Sequence, residues 1–173
     1  MANVPYCGRS RLTRLCACPP ASSVAVMSLH PRVLPAGCIA PCLPTSAPQP
    51  PSGAVWLHEI KHDGFRCIVR KNGMRVRLYS RPGNDLTWRL PLIAESIAAL
   101  RSRSCIIDGE AVACGENGVA SFERIRYRHS DDCVFLYAFD LIELDGDDLR
   151  HVPLTVRKTM LANVIAGAWR SPE

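Results

Sequence analysis

An α+β domain built on antiparallel sheet is the fold class the sequence predicts, and two observations carry the prediction. Short alternating apolar runs are joined by Gly- and Asn-containing turns, and no regular crossover helices separate them. Proline and charge also divide the chain. Ten of its 14 prolines lie before Gly53, in a stretch with four arginines (Arg9, Arg11, Arg14, Arg32) and no acid. Proline fixes φ and removes a backbone donor, so residues 1–53 read as a disordered, Pro/Cys/Arg-rich leader and 54–173 as the folding unit. That unit carries 17 Lys and Arg against 16 Asp and Glu, so basic surface on it must come from arrangement rather than excess. At 173 residues the chain suffices for one domain with a core. A mean hydropathy of +0.02 and the lack of an 18-residue apolar run argue against a membrane span.

The elements follow in order. Val55–Ile60 is a short apolar-rich run. Phe65–Lys71 and Met74–Ser80 flank Asn72-Gly73, a dipeptide that favours a two-residue type I′ hairpin turn. In the second arm Met74, Val76 and Leu78 alternate with Arg75, Arg77 and Tyr79, giving a basic outer face. Arg81–Asp85 is a loop, and Leu90–Leu100 is a helix with Leu90, Ile93, Ile97 and Leu100 on one side. Cys105–Ala113 is a strand, Gly115–Gly118 a turn, Val134–Glu143 a long strand and Asp145-Gly146 the next turn. Pro153 precedes a last helix over Thr155–Ala166, whose apolar side is Val156, Met160, Leu161, Val164 and Ile165.

Five of the nine cysteines (Cys7, Cys16, Cys18, Cys38, Cys42) fall in the leader. An exported disulfide scaffold would need a clean export signal and an even count, and zinc would need a second pair at ligand spacing; the sequence offers none of these. Met27 is an alternative start. Cys67, Cys105, Cys114 and Cys133 lie in strand-like runs and read as small reduced core residues of a cytoplasmic protein.

Chemistry concentrates at Glu59-Ile60-Lys61-His62-Asp63-Gly64-Phe65-Arg66. A lysine nucleophile must lose a proton, which nearby positive charge and partial burial favour. Arg66 supplies such a charge and suits bidentate phosphate contact, and Gly64 admits close backbone approach to a ligand. The competing reading of this octapeptide is a surface hairpin with a solvated Lys–Asp–Arg cluster.

This run resembles the Lys-x-Asp-Gly-x-Arg motif of covalent nucleotidyltransferases, and three more elements follow in that family's order. Tyr79-Ser80-Arg81 with Gly83–Thr87 is similar to the Ser-Arg loop of DNA ligases. Ile107-Asp108-Gly109-Glu110 resembles their Asp-Gly-Glu strand, and Tyr137–Ile142 with Leu144-Asp145-Gly146 their aromatic Phe-Asp strand. The likeness, over about residues 55–168, is to bacterial ATP-dependent DNA ligases, including the ligase domain of the end-joining type. It implies an antiparallel-sheet nucleotidyltransferase (ATP-grasp-like) adenylation domain with ATP and Mg2+ as cofactors. Lys61 would attack the α-phosphate of ATP to form lysyl–AMP. Glu59 would recognise adenine, Phe139 would stack on it, and Arg66 and Arg81 would hold phosphate and ribose. Glu110 would contact the ribose and the metal region. The implied partner is nicked or broken double-stranded DNA near the bacterial nucleoid, with Arg75 and Arg77 as a candidate phosphate track.

The family's later Glu-Gly element, its Lys-x-Lys strand and its OB-fold domain do not occur in this sequence. The expectation is therefore a truncated adenylation domain, inactive alone unless a second polypeptide supplies the missing half. Two alternatives stay open: a remnant that binds nucleotide or DNA without chemistry, and an RNA ligase or capping-type nucleotidyltransferase.

Overall fold

The computed structural model describes residues 15–16, 39–43, 45–54, 56–115, 119–127 and 134–166. Its centre is a six-stranded sheet formed by β1 (Leu15–Cys16), β2 (Phe65–Asn72), β3 (Arg75–Ser80), β4 (Ser104–Ala113), β5 (Val134–Leu144) and β6 (Asp147–Asp148). The order across the sheet is β1-β5-β4-β2-β3, with β6 also paired to β5. All pairings are antiparallel except β1 with β5, which is parallel. Helices α1 (Pro91–Ala98), α2 (Phe122–Tyr127) and α3 (Leu154–Ala166) and a one-turn 3₁₀ helix (Thr87–Arg89) complete it. Among the described residues no helix is long and apolar enough to cross a membrane.

Period-two alternation gives the sheet two unlike faces. Cys67, Val69, Leu78, Cys105, Ile107, Ala111, Leu136 and Leu141 point to one face and form the main core with Leu90, Ile93, Ile97 and Leu100 of the α1 region and Leu161 and Ile165 of α3. The expected apolar sides of both helices are therefore the ones that pack. Cys67 and Cys105 are buried core residues, Cys114 is half-buried, and Cys133 lies outside the described residues. The opposite face holds a small cluster of Ile68, Ile106 and Ile142, against which Ile39 packs. Ile39 comes from the stretch assigned to the leader.

Two details depart from the sequence reading. The first hairpin turns at Gly73-Met74, because Asn72 pairs with Arg75. Gly73 alone takes a positive φ (+57°), so the type I′ geometry expected of Asn72-Gly73 does not form. Tertiary bonds hold this register: the Gly73 N–H donates to the Arg103 carbonyl at 2.7 Å, and buried Lys71 donates to the Gly73 and Ala98 carbonyls. At the β5–β6 turn, by contrast, Asp145 (φ +50°) and Gly146 (φ +101°) are both left-handed, as type I′ requires. Helix α2 had no counterpart in the sequence reading. Its six residues are too few for periodicity, and its placement comes from Phe122 edge-on to Phe65 and from Arg89 donating to the Ile125 and Arg126 carbonyls. Of the expected turn at Gly115–Gly118, residues 116–118 lie outside the described residues.

Candidate functional site

The sheet face opposite the main core gathers most of the residues singled out from the sequence. Phe65–Asn72 of β2 runs antiparallel to β4, with Arg66 across from Glu110 and Ile68 across from Asp108. Residues 56–62 lead toward β2 without ladder bonds, and the chain bends at Asp63-Gly64 before the strand begins. Gly64 is required there by the sheet itself. A Cβ at this position would stand 2.1 Å from the Ala111 carbonyl oxygen and 2.9 Å from Val112 Cγ1. The close approach expected for a ligand is thus an approach of backbone to β4, and it seats the Lys61 segment over that strand.

Lys61 is exposed, so the partial burial expected for a nucleophile is not supplied by the described residues. The Glu110 carboxyl is pushed up chiefly by burial, against the pull of Arg66, the Gly64 N–H and Lys61. His62 stacks on Tyr137, with ring centroids 3.6 Å apart and planes 8° from parallel. Burial pushes its pKa below the ordinary 6.5, while neighbouring Glu59 opposes the shift.

Arg66 is the hub. Its Nε and Nη2 donate to the two carboxylate oxygens of Asp108 at 2.6 and 2.8 Å, and its guanidinium lies 4.3 Å from the centre of the Phe139 ring. The hydrogen bond to Asp108 raises the pKa of Arg66, and burial pushes the Asp108 carboxyl up against the pull of its partner. The fork expected to grip phosphate is therefore engaged with a carboxylate.

Phe139 reaches this point because of an irregularity in the ladder. Asp108 pairs with Asp140 but Gly109 pairs with Ala138, so Phe139 is an unpaired bulge residue. A bulge re-aims side chains and frees a backbone carbonyl. The ring turns onto Arg66, and the carbonyl accepts a bond from Lys158 Nζ of α3 at 2.8 Å. Lys158 also pairs with Glu59. Next to it, Arg157 donates to both oxygens of Asp140 at 2.8 and 2.9 Å and to the Val152 carbonyl. Asp108, Arg157 and Lys158 are site residues that sequence reasoning missed or left as structural. Lys158 is 99 residues from Glu59, and no local pattern signals such a pair.

Glu59, Lys61, Arg66, Glu110 and Phe139 are therefore brought to one face. Arg75 and Arg77 alternate with core residues Val76 and Leu78 and so share that face farther out, on the edge strand β3, whereas Arg81 lies beyond the end of that strand. Arg81 is exposed, one residue beyond Ser80, which pairs with Cys67. Arg75 and Arg77 are exposed on β3, Arg77 lying across from Arg70 and 3.6 Å from Asp85. The residues present do not fit a magnesium ion by themselves. Among the described residues no three His, Cys, Asp or Glu side chains converge. Asp108 is taken up by Arg66, and Glu110 has Arg66, Lys61, the Gly64 N–H and the already paired Asp108 acting on it.

Comparisons with known proteins converge. Residues 47–171 match the family model described as ATP dependent DNA ligase domain. The multifunctional non-homologous end joining protein LigD of Pseudomonas aeruginosa is 34% identical over 137 residues, covering 78% of this chain and 16% of that protein. A probable DNA ligase of Streptomyces griseus is 34% identical over 118 residues, covering 62% of this chain and 23% of its own length. The crystal structure of the ligase domain from M. tuberculosis LigD superposes with a TM-score of 0.56 at 35% identity, over 66% of this chain and 39% of that one. A mycobacterial DNA ligase D complexed with ATP and MES gives a TM-score of 0.55 at 35% identity, over 63% of this chain and 36% of that one. The chain spans less than a quarter of the length of these curated relatives.

Proposed function

The chain belongs to the ATP-dependent DNA ligase family, in its LigD-like end-joining branch, and from that membership we propose that its open sheet face receives ATP, transfers AMP to Lys61, and serves the joining of DNA strand breaks in repair. The observation that carries this reading is the meeting of three sequence-distant segments on one face: the Lys61 segment held against β4 at Gly64, Glu110 across from Arg66, and Arg66 over Phe139. In the reaction the unprotonated Lys61 Nζ attacks the α-phosphorus of ATP. An N–P bond forms, the bond to pyrophosphate breaks, and the amine loses a proton to the solvent around it. The lysyl–AMP bond stores the activated adenylate, which passes to a DNA 5′-phosphate. A 3′-hydroxyl then displaces AMP and joins the strands, splitting one hard step into easier ones.

The roles of the other residues follow from their surroundings. The Phe139 face takes one side of the adenine, since a flat apolar ring grips a base without reading its edge. Glu59 meets the base edge. Glu110, which balances Lys61 and Arg66, orients the ribose. Arg81 at the rim meets phosphate, and Arg75 and Arg77 meet the DNA backbone by charge.

The described residues leave Lys61 exposed, and the chain spans 39% of the known ligase domain. Removing one preorganised charge from a reacting centre lowers rate by on the order of 10² to 10³. We therefore expect the 173-residue polypeptide alone to close no nick. The engagement of Arg66 by Asp108 favours one second reading, a module that holds nucleotide without chemistry.

The test is to join the chain to the remaining portion of a related LigD ligase domain and incubate it with ATP labelled at the α-phosphate. Covalent label is expected on Lys61. It should vanish in Lys61→Ala and also in Lys61→Arg, whose guanidinium does not deprotonate. Label retained by Lys61→Ala overturns the assignment, and nucleotide held without label supports the second reading.

A further inference from the structure

Helix α3 lies outside every motif that carries chemistry in the sequence, yet Lys158 reaches two of them. Its Nζ donates to the Phe139 carbonyl at 2.8 Å and pairs with Glu59 Oε1. The two partners are unequally held. Lys158 is 16% exposed on a helix whose Leu161 and Ile165 are core residues, whereas Glu59 is 40% exposed on a segment with no ladder bonds. The helix is thus the anchor, and the carboxylate is what it fixes. Lys158 is itself fixed at the bulge, where Arg157 clamps Asp140 and the Phe139 carbonyl has no strand partner. Without Lys158, the Glu59 side chain would sample several rotamers, and the entropy of ordering it would fall on the ligand.

We propose that Lys158 is a positioning residue that sets the base selectivity of the nucleotide site. It holds one oxygen of Glu59 beside the Phe139 ring and leaves the other free to accept from the exocyclic amine of adenine. Guanine presents a carbonyl oxygen at the corresponding ring position. A fixed carboxylate then confronts another acceptor, and a site arranged to hydrogen-bond one base edge rejects the edge that cannot pair more strongly than a lost apolar contact would. A carboxylate free to swing aside would discriminate less. This inference rests on the reading that Glu59 and Phe139 hold the base.

The experiment is equilibrium dialysis of the full chain against labelled ATP and, separately, labelled GTP. The unaltered chain is expected to prefer ATP by about tenfold, the worth of one well-placed hydrogen bond. Lys158→Met should narrow that preference about three- to tenfold by weakening ATP, with GTP little changed. Lys158→Gln keeps a donor for the Phe139 carbonyl but not the charge on Glu59, and should narrow it similarly; it carries the test if Lys158→Met does not fold. In a Glu59→Ala background, Lys158→Met should change the ratio no further. Equal weakening of both nucleotides, or an unchanged ratio in the folded variants, overturns the role of Lys158. An unaltered chain that binds both nucleotides alike, or neither, overturns the adenine reading beneath it.

Discussion

Replacing Arg66 by Met leaves the Asp108 carboxylate without its charged partner, and the structure sets the scale of the loss. The Asp108 side chain is 5% exposed and accepts two short bonds from Arg66, which is 28% exposed. Removing one member of a buried pair destabilises by about 3–5 kcal/mol, because the other charge stays buried. Arg66 opens to solvent on one side, so water can reach part of the vacated space, and about 2–3 kcal/mol is the better figure here. Loss of the guanidinium from the Phe139 ring adds about 0.5–1 kcal/mol. The expected total is about 3 kcal/mol, a large share of the roughly 5–15 kcal/mol that holds a typical domain together. Urea unfolding followed by far-UV circular dichroism reads it directly, and an unchanged denaturant slope would show that the two-state comparison is sound.

The pH dependence has a definite sign. An unpaired buried carboxyl has a folded-state pKa above its unfolded value, so its stability contribution is present at low pH and lost as pH rises through the folded pKa. The deficit of Arg66→Met should therefore be smaller at about pH 5 than at pH 7. Combining it with Asp108→Leu should recover most of the loss, since apolar replacement of both partners is often neutral. A deficit below about 1 kcal/mol, or a double variant as unstable as the two single losses added together, would refute the claim that this pair is one coupled unit.

Gly64→Ala sets a Cβ against the Ala111 carbonyl and should cost about 1–3 kcal/mol in the same urea assay; an unaffected midpoint would show that the Lys61 segment is not seated on β4. His62 has a lowered folded pKa, so its stability contribution is full above pH 6.5 and lost as pH falls through the folded value. The unaltered chain should gain stability as pH rises toward 6.5, and His62→Gln should flatten that rise; identical slopes would remove His62 from the account. Replacing Arg75 and Arg77 together, in the fusion described above, should flatten log affinity for nicked duplex against log salt by about two phosphate contacts. An unchanged slope would leave these arginines as solvated surface.

Terms that act over a few residues were legible in the sequence alone. Alternation in Val76 and Leu78 identified β3 and its buried side, although Met74, placed with them by the same pattern, is exposed in the turn, and the spacing of Leu90, Ile93, Ile97 and Leu100 identified the packed side of the α1 region. The motif around Lys61 and the Asp-Gly-Glu strand located the candidate site, and their relation to DNA ligases agrees with the family match over residues 47–171. What tertiary structure decided was which of these residues touch. Arg66 meets Asp108 across 42 residues and Lys158 meets Glu59 across 99, through strand register and helix docking that no local pattern encodes. Phe139 faces Arg66 because the ladder slips by one residue beside Gly109, and the first turn closes at Gly73-Met74 because Arg103 and Lys71 bond to Gly73. Local propensity offers the chain several registers of nearly equal energy. The selected register is the one that buries the apolar face and satisfies these distant polar groups together.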